Sequence, residues 1–347
     1  MEYSRLGTTD LNVSRICLGT MNWGEQNTEE DAHEQMDYAV EQGINFFDTA
    51  EIYPIPPNKE SQGRTETYIG NWLKKTGKRD DLIIASKVTG RSDLTYVRDG
   101  ETPCFNEAHI RRAIEGSLKR LQTDHIDLYQ LHWPDRKTNY FGKRAYVHDP
   151  HDRPVEIAET LQVLAALQKE GKIRHFGVSN ETAWGLHEFL RQHEQNDMPR
   201  VQSIQNPYSL IMREIETALA EIIIREQVSL LVYSPLSFGV LTGKYLDGVT
   251  PEGSRFHYTE RNQARYNPAH VQDVIRQYVE VAEKHHLDPA ELAIAFVNSR
   301  EFVTSTIIGA RTMEQLKTDI GAADITLPED ALAAIEAVHT VHPNPIT

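Results

Sequence analysis

The chain alternates between short apolar runs and longer segments whose apolar residues recur at helical spacing. Continuous apolar runs of this length are typical of strands that are buried on both faces of a parallel sheet. The eight runs are Arg15–Met21, Ile44–Phe47, Leu82–Val88, Ile126–His132, Ile173–Asn180, Val201–Gln205, Ser229–Ser234 and Ser305–Ile308.

Helical patterns fill the intervals between these runs. The clearest is Thr28–Gln42, where Thr28 and Asp31 give a capping-box-like start, Met36 lies on an apolar face, and Gly43 ends the helix. Other helices are expected at Thr65–Lys75, from Asn106 to Leu121, at Val155–Glu170, near 182–194 and 212–225, within 270–299, and as two short helices at the end of the chain.

Eight strands, each followed by a helix, predict an α/β fold in which a closed (β/α)8 TIM barrel is favoured over an open sheet. The first strand is not followed by G-x-G-x-x-G, the motif of a doubly wound dinucleotide-binding fold. We therefore expect residues 1–347 to form a single domain, with a short β-hairpin in residues 1–14 ahead of the barrel.

Two long segments interrupt this rhythm, 134–154 after barrel strand four and 237–268 after barrel strand seven. Both follow the carboxyl ends of strands, where barrel enzymes bind their ligands, so we expect long loops that shape a substrate site. The alternative for each segment is a disordered surface insertion.

Composition limits the class of protein. Hydrophobic residues make up 39% of the 347, which is enough for a sizeable core. No apolar run is long enough to span a membrane, and the N-terminus lacks the shape of a signal peptide. Cys17 and Cys104 are far apart and have no C-x-x-C partner, which favours a reducing, cytoplasmic location. The oligomeric state stays open.

Charge argues against two further classes. A net charge of −15 does not suit a nucleic-acid partner, because such binding needs a basic surface. An anionic ligand would instead need a local cationic pocket or a helix N-terminus. The 15 histidines are scattered and form none of the usual zinc-binding patterns, so no metal site is predicted.

Candidate chemistry lies where the predicted strands end. Asp48 follows the second run directly, and Tyr53 stands on the loop beyond it. Taken alone, Asp48 could simply cap a turn and Tyr53 could be a half-buried loop aromatic. Lys87, however, ends the apolar third run, and a buried lysine needs a counter-ion, for which Asp48 on the adjacent strand is suitable.

His132 ends the fourth run and completes a predicted group of four with Asp48, Tyr53 and Lys87. A lysine beside a tyrosine favours the phenolate and lowers the phenol pKa from about 10, which brings proton exchange closer to neutrality. A nearby histidine could orient a carbonyl oxygen toward the phenol. The combination predicts a proton-transfer site.

These residues belong to longer motifs through which the sequence resembles the aldo-keto reductase superfamily almost from end to end. Among its members the chain looks most like the bacterial Tas-like reductases, which have a similar proline-rich loop at Pro54–Gln62. The motifs are D-T-A-E-I-Y at 48–53, S-K-V at 86–88, L-Y-Q-L-H-W-P at 128–134, G-K-I-R-H-F-G-V-S-N at 171–180, Q-N-P-Y-S at 205–209, Y-S-P-L at 233–236, L-T-G-K-Y at 241–245 and I-I-G-A-R-T-x-x-Q-L at 307–316.

The resemblance implies a (β/α)8 barrel that reduces aldehydes and ketones, which are small-molecule carbonyl substrates, with NADPH. It implies Tyr53 as proton donor, Lys87 as the residue that lowers its pKa, Asp48 as the partner of Lys87, and His132 as the group that orients the substrate. The residues it implies for cofactor binding are Gly19, Thr20, Met21, Asp48, Ser179, Asn180, Gln205, Tyr233, Ser234, Pro235, Leu236, Gly239, Leu241, Gly243, Lys244, Gly309, Arg311, Gln315 and Asp319.

Within that set, Ser179, Asn180 and Gln205 would hydrogen-bond the nicotinamide amide while Tyr233 stacks on the ring. Arg311 is the expected partner of a 2′-phosphate, which favours NADPH over NADH, although it could be a solvated arginine at a helix start. The chain departs from the family at Thr318-Asp319, where Glu-Asn is usual, but Asp319 can still accept a hydrogen bond from the adenine amino group.

Other interpretations remain possible. A Schiff-base aldolase could use Lys87 as its nucleophile, and some relatives of the family act as redox-sensing subunits of a partner. G-V-L-T-G-K at 239–244 lacks the spacing and the final Ser/Thr of a phosphate-binding P-loop. Trp23, Tyr53, His132 and Trp133 are expected to line an aromatic substrate pocket, but the physiological substrate cannot be named from the sequence.

Overall fold

The structure is a computed structural model. It describes residues 1–143, 145–258 and 260–346, with the backbone alone described at 257, 258 and 260–262. Arg144 and Thr259, which fall within the two predicted long loops, and Thr347, at the end of the predicted domain, lie outside the described residues.

The described residues form ten strands, and eight of these close into a parallel barrel, which confirms the predicted fold. The first two pair antiparallel as the predicted N-terminal hairpin. The strands are β1 Tyr3–Arg5, β2 Asn12–Ser14, β3 Ile16–Gly19, β4 Phe46–Asp48, β5 Ile83–Val88, β6 Ile126–Leu131, β7 Ile173–Ser179, β8 Val201–Pro207, β9 Ser229–Tyr233 and β10 Val303–Ile308. Barrel strands one to eight are therefore β3 to β10.

Helices surround the barrel, as expected for strand–helix repeats. They are α1 Glu29–Glu41, α2 Arg64–Thr76, α3 Glu107–Leu121, α4 Ile157–Lys169, α5 Ala183–Asn196, α6 Ile215–Ala218, α7 Ala220–Arg225, α8 Arg255–Tyr258, α9 Glu260–Tyr266, α10 Ala269–Lys284, α11 Pro289–Asn298, α12 Met313–Gly321 and α13 Glu329–Val341. Short 3-10 turns lie at Arg79–Asp81, Thr95–Arg98, Ser237–Thr242, Leu246–Gly248 and Ala322–Asp324.

Local signals placed most boundaries well. Thr28 and Asp31 form the predicted capping box of α1, and Asn106 caps α3 through the His109 N–H. Two predictions need correction. Barrel strand two begins at Phe46 rather than Ile44, although Ile44 is buried. The helix expected near 212–225 is divided into α6 and α7 around Leu219.

Side chains inside the barrel form an apolar lower layer and a polar upper layer. Phe46 of β4 points inward and packs with Leu6 and Val13 of the hairpin region, which close the bottom of the barrel. Phe47 points outward to the helices because successive strand residues alternate. The next inward position is Asp48, so the same alternation that buries Phe46 delivers a carboxylate to the top.

The long segment after β9 is folded where the structure describes it. It contains two of the 3-10 turns and helices α8 and α9. Tyr245 and Phe256 stack within it at a centroid distance of 3.9 Å, and both are buried. These contacts argue against a disordered insertion for the described part of 237–268.

Candidate active site

Asp48, Lys87 and Tyr53 meet at the carboxyl-terminal end of the barrel. The Lys87 ammonium lies 2.5 Å from Asp48 Oδ2, 2.8 Å from the Thr49 carbonyl oxygen and 3.4 Å from the Tyr53 hydroxyl. The Lys87 side chain is completely buried. The predicted ion pair is therefore present, and Asp48 provides the counter-charge that a buried ammonium requires.

The loop after β4 brings Tyr53 back over the barrel mouth. The Tyr53 N–H donates to the Ala50 carbonyl at 3.1 Å, and the Tyr53 carbonyl accepts from the Gly63 N–H at 2.9 Å. The Ile55 N–H donates to the Met21 carbonyl at 2.9 Å. These bonds hold the loop from both sides, so the phenol can reach Lys87 on the adjacent strand.

The electrostatics at Tyr53 differ from the expectation. Burial raises the pKa of the Tyr53 phenol above its ordinary value, and the Lys87 charge opposes this rise without cancelling it. Burial alone would lower the pKa of Lys87, but Asp48 and Tyr53 raise it more. The site therefore holds a neutral phenol beside an ammonium, which can stabilise a phenolate as it forms.

His132 lies directly after β6, beside Tyr53. The two rings are 5.8 Å apart and nearly perpendicular, at 76°. Burial, assisted by the charge of Lys87, lowers the pKa of His132 well below its ordinary value. A neutral imidazole carries one N–H donor and one acceptor. Its buried Nδ1 has no hydrogen-bond partner within the described part of the chain.

The polar residues at the ends of β7, β8 and β9 form one connected network. The Ser179 hydroxyl donates to the Gln205 carbonyl at 2.9 Å, and the Asn180 amide donates to the His132 carbonyl at 2.9 Å. The Tyr233 hydroxyl donates to Asn180 Oδ1 at 2.6 Å. The structure thus brings four of the predicted nicotinamide-contacting residues next to the group of four.

The end of β3 approaches the same site. The Thr20 hydroxyl donates to the Asp48 carbonyl at 2.9 Å, and Met21 packs against the aromatic cluster that contains Tyr53. A Cβ added at Gly19 would lie 2.7 Å from both the Ile307 side chain and the Ile308 carbonyl oxygen. Only glycine fits this close approach of two strands.

Two cations lie beyond this network. Burial lowers the pKa of Lys244, Asp319 opposes this effect, and Arg255 reinforces it. Burial also lowers the pKa of Arg255, whose guanidinium donates to Asn22 Oδ1 at 2.5 Å. The sequence did not single out Arg255. Two partly or largely buried cations near one another provide the local positive charge that the acidic chain needs for an anion.

The loop that carries Lys244 follows β9 directly. Gly239 adopts a φ of 84°, and a Cβ there would lie 2.9 Å from Lys244 Nζ, so the glycine leaves room for the ammonium. The Leu241 side chain packs in the main hydrophobic core, contrary to its predicted place in the cofactor site. Ser234, Pro235, Leu236 and Gly243, which are the other predicted residues of this segment, lie between the end of β9 and Lys244.

The predicted adenosine end lies at the start of α12. Thr312 and Gln315 form the capping box of α12. Gln315 Oε1 also accepts from the Arg311 N–H at 3.0 Å, and Asn27 donates to the Arg311 carbonyl at 2.7 Å. Gly309 and the Arg311 side chain are exposed. Hydrogen bonds to the Arg311 backbone thus fix the loop before α12, while the Arg311 side chain stays exposed to solvent.

Asp319 lies on α12 at the interior side of this region, with 4% exposure. Burial raises the pKa of its carboxyl to about 7, although Lys244 opposes the rise. The departure from the family pattern has thus placed a buried carboxyl close to the Lys244 ammonium.

The aromatic cluster beside Tyr53 contains only part of the set that was predicted to line a substrate pocket. Tyr53 and Trp133 pack with Val97 in one cluster, and the His132 and Trp133 rings are 4.7 Å apart. Trp23 lies elsewhere, fully buried in the main core, where its indole N–H donates to Gln35 at 2.9 Å. Trp23 therefore belongs to the main core and not to the aromatic cluster beside Tyr53.

Two further groups at the site were missed from the sequence. Gln130, on β6, donates to Asp48 Oδ1 at 3.1 Å. Glu51 and Arg98 form a buried ion pair beside the Tyr53 loop. A polar residue inside the apolar run Ile126–Leu131 was the available signal for Gln130. No comparable signal linked Glu51 to Arg98, because their contact depends on loop folding.

The part of the chain that the structure describes provides neither a metal centre nor a membrane-spanning helix. Within the described ranges, no three His, Cys, Asp or Glu side chains are grouped so that they could hold a metal ion. None of the described helices combines the length and apolar character needed to cross a membrane.

Comparison with known proteins agrees with the resemblance. The sequence model described as "Aldo/keto reductase family" matches residues 15–340. The chain is 51% identical over 345 residues to "Protein tas" of Escherichia coli (strain K12), covering 99% of both chains. It is 35% identical over 343 residues to "Uncharacterized oxidoreductase YrpG" of Bacillus subtilis (strain 168), covering 97% of this chain and 96% of that protein. Identity to "Aldo-keto reductase YhdN" of the same organism is 31% over 325 residues, covering 91% and 87%.

Proposed function

This chain belongs to the aldo/keto reductase family, and from that premise we propose that it reduces aldehydes and ketones to alcohols with NADPH. The observation that carries the proposal is the position of Lys87, whose ammonium contacts both Asp48 Oδ2 at 2.5 Å and the Tyr53 hydroxyl at 3.4 Å. We take residues 1–347 as a single catalytic domain and Asp48, Tyr53, Lys87 and His132 as its catalytic residues.

The residues of the barrel mouth suit a phosphorylated dinucleotide. Lys244 and Arg255 supply positive charge for a pyrophosphate, and Gly19 leaves space where a Cβ would collide with the neighbouring strand. Ser179, Asn180 and Gln205 would hold the nicotinamide amide, with Tyr233 beside the ring. When bound, the nicotinamide supplies the hydride.

Tyr53 would provide the proton. Because burial raises the pKa of the Tyr53 phenol, the group is protonated near neutral pH and can donate from Oη to an oxygen that gains negative charge. The Lys87 ammonium then stabilises the phenolate that remains, and Asp48 keeps Lys87 charged. The protonated state of Lys87 also argues against the Schiff-base alternative, since a nucleophilic lysine must be neutral.

His132 would orient the substrate. Its lowered pKa keeps the imidazole neutral, so it can donate one hydrogen bond to a carbonyl oxygen without competing with Tyr53 as a strong acid. Tyr53, His132 and Trp133 give the site an aromatic wall. We propose that it favours carbonyl compounds with an apolar or aromatic body.

The preference for NADPH over NADH rests on Arg311. Its exposed guanidinium at the start of α12 can pair with a 2′-phosphate, and the Asn27 amide and Gln315 fix the Arg311 backbone. Gly309, Gln315 and Asp319 would complete the adenosine end of the proposed cofactor site. The other proposed contacts are Thr20, Met21, Ser234, Pro235, Leu236, Gly239 and Gly243.

A panel of aldehydes and ketones, assayed with NADPH and with NADH, tests the proposal. We expect the absorbance of NADPH to fall with turnover. When NADPH deuterated at the nicotinamide C4 position is used, the deuterium should appear in the alcohol product. Tyr53→Phe should lose activity by two or more orders of magnitude, on the order expected for loss of a general acid. Tyr68→Phe, a change of the same kind at a half-buried position of α2, is the control. A full reductase rate in Tyr53→Phe would exclude Tyr53 as the proton donor.

A further inference from the structure

Gln130 lies at the centre of the polar upper layer of the barrel. It faces the barrel interior from β6, two residues after the inward-facing Leu128, pairs in register with Lys87 on β5, and is completely buried. Its amide nitrogen donates to Asp48 Oδ1 at 3.1 Å, and its Oε1 accepts from the Gln205 amide at 3.1 Å. A buried glutamine with both ends bonded has a defined orientation.

The orientation of both glutamines follows from Asp48. A carboxylate paired with a lysine can only accept hydrogen bonds, so the two amide groups that face Asp48 Oδ1 must present nitrogen. The Gln205 nitrogen lies 2.7 Å from Asp48 Oδ1 and also faces Gln130 Oε1. If the Gln205 amide were flipped by 180°, its oxygen would face two acceptors, Asp48 Oδ1 and Gln130 Oε1.

We infer that Gln130 is a positioning residue that fixes the Gln205 side chain with its nitrogen inward and its Oε1 toward the cofactor. In this orientation Gln205 Oε1 accepts a hydrogen bond from the N–H groups of the nicotinamide carboxamide. This inference rests on the proposed function, because it takes the nicotinamide carboxamide as the group that Gln205 contacts. It adds a residue, Gln130, for which the resemblance implies no role.

The neighbouring side chains of Asn180 and Ser179 also direct their hydrogen-bond donors into the protein. The two N–H bonds of Asn180 are directed to the His132 carbonyl at 2.9 Å and to Ser179 Oγ at 3.1 Å, while the Ser179 hydroxyl donates to the Gln205 carbonyl. These donors are used within the protein. That leaves Gln205 Oε1 and the second lone pair of Ser179 Oγ as the acceptors that face a ligand, and acceptors select an amide over a carboxylate.

The test compares NADP⁺ with its deamido analogue, in which a carboxylate replaces the carboxamide, by equilibrium titration of tryptophan fluorescence. We expect the wild-type protein to bind NADP⁺ at least about tenfold more tightly than the analogue, since the carboxylate would face Gln205 Oε1. In Gln130→Met, one of the two contacts that oppose reversal of Gln205 is lost, so this ratio should fall by about tenfold. Gln195→Met, on the exposed surface of α5, should leave the ratio unchanged.

A second measurement on the wild-type protein does not depend on the folding of a variant. The acetylpyridine analogue of NADP⁺ replaces the carboxamide NH₂ with a methyl group, so it should bind more weakly than NADP⁺ but more tightly than the deamido analogue. Equal affinity for NADP⁺ and the deamido analogue, or an unchanged ratio in folded Gln130→Met, would overturn the inference while leaving the proposed function intact. Failure of the wild-type protein to bind NADP⁺ at all would instead overturn the proposed function.

Discussion

Glu51 and Arg98 form a two-point ion pair inside the protein. The guanidinium nitrogens lie 2.8 and 3.0 Å from the Glu51 carboxylate oxygens, and both side chains are almost completely buried. Glu51 Oε1 also accepts from the Thr89 N–H at 2.6 Å. The pair therefore joins the loop after β4, which carries Tyr53, to the loop after β5.

Changing Glu51→Gln should destabilise the protein by about 3–5 kcal/mol, because it leaves the Arg98 charge buried without a counter-ion. The double change Glu51→Gln with Arg98→Met should recover part of that loss, since no unpaired charge remains. Urea unfolding at constant pH measures both. Glu107→Gln, which breaks the exposed pair with Arg111, should cost less than about 1 kcal/mol. A loss in Glu51→Gln as small as in this control would contradict the role assigned to the buried pair.

Lys87→Met should reduce turnover by at least about a hundredfold, because the phenolate of Tyr53 would form without a neighbouring cation. Binding of NADPH should change little, since the proposed phosphate contacts lie at Lys244 and Arg255. Stopped-flow turnover and fluorescence titration separate the two effects. The unpaired Asp48 carboxylate could prevent Lys87→Met from folding. In that case the double variant Asp48→Asn/Lys87→Met, which has neither charge, tests the effect on turnover. Turnover near the wild-type rate in either folded variant would be incompatible with the mechanism.

Asp319 should make stability depend on pH. Its folded pKa is raised from an ordinary 3.8 to about 7, so the folded state holds a proton that the unfolded state has released. Stability contributed by the neutral carboxyl is complete below pH 3.8 and is lost as the pH rises toward 7. Between these two pH values the free energy of unfolding should fall by at most about 4 kcal/mol in total.

Asp319→Asn removes this titration. The variant should gain little stability over the wild type near pH 4 and most above pH 7, as followed by urea unfolding at several pH values. Asp324→Asn, an exposed change on the adjacent turn, should give no such trend. A gain for Asp319→Asn that is constant across this pH range would show that the carboxyl does not titrate there.

Arg311→Gln should weaken NADPH binding by roughly 10- to 100-fold, the usual effect of losing a charge-assisted hydrogen bond, and should leave NADH binding nearly unchanged. Dissociation constants for both cofactors, measured at one ionic strength, decide this. Lys317→Gln is the control, because that ammonium lies over the Tyr38 ring, 5.6 Å from its centroid. Equal weakening of both cofactors would assign Arg311 a structural role instead.

The amino-acid sequence alone determined the barrel and the side chains that reach its mouth. Apolar runs, helix caps and glycines are local signals, and strand alternation carries Phe46 to the core and Asp48 to the site without reference to the rest of the chain. The Lys87–Asp48 pair could be predicted for the same reason, since a buried ammonium on one strand requires a carboxylate nearby.

Only the tertiary structure decided the features that depend on distances between remote segments. Trp23 proved to be a core residue, Gln130 acquired contacts on two strands, and Arg255 entered the site from a long loop. The direction of the Tyr53 pKa shift was set in the same way, because burial outweighs the Lys87 charge. Desolvation and contact geometry depend on how the whole chain packs, and no local pattern in the sequence records them.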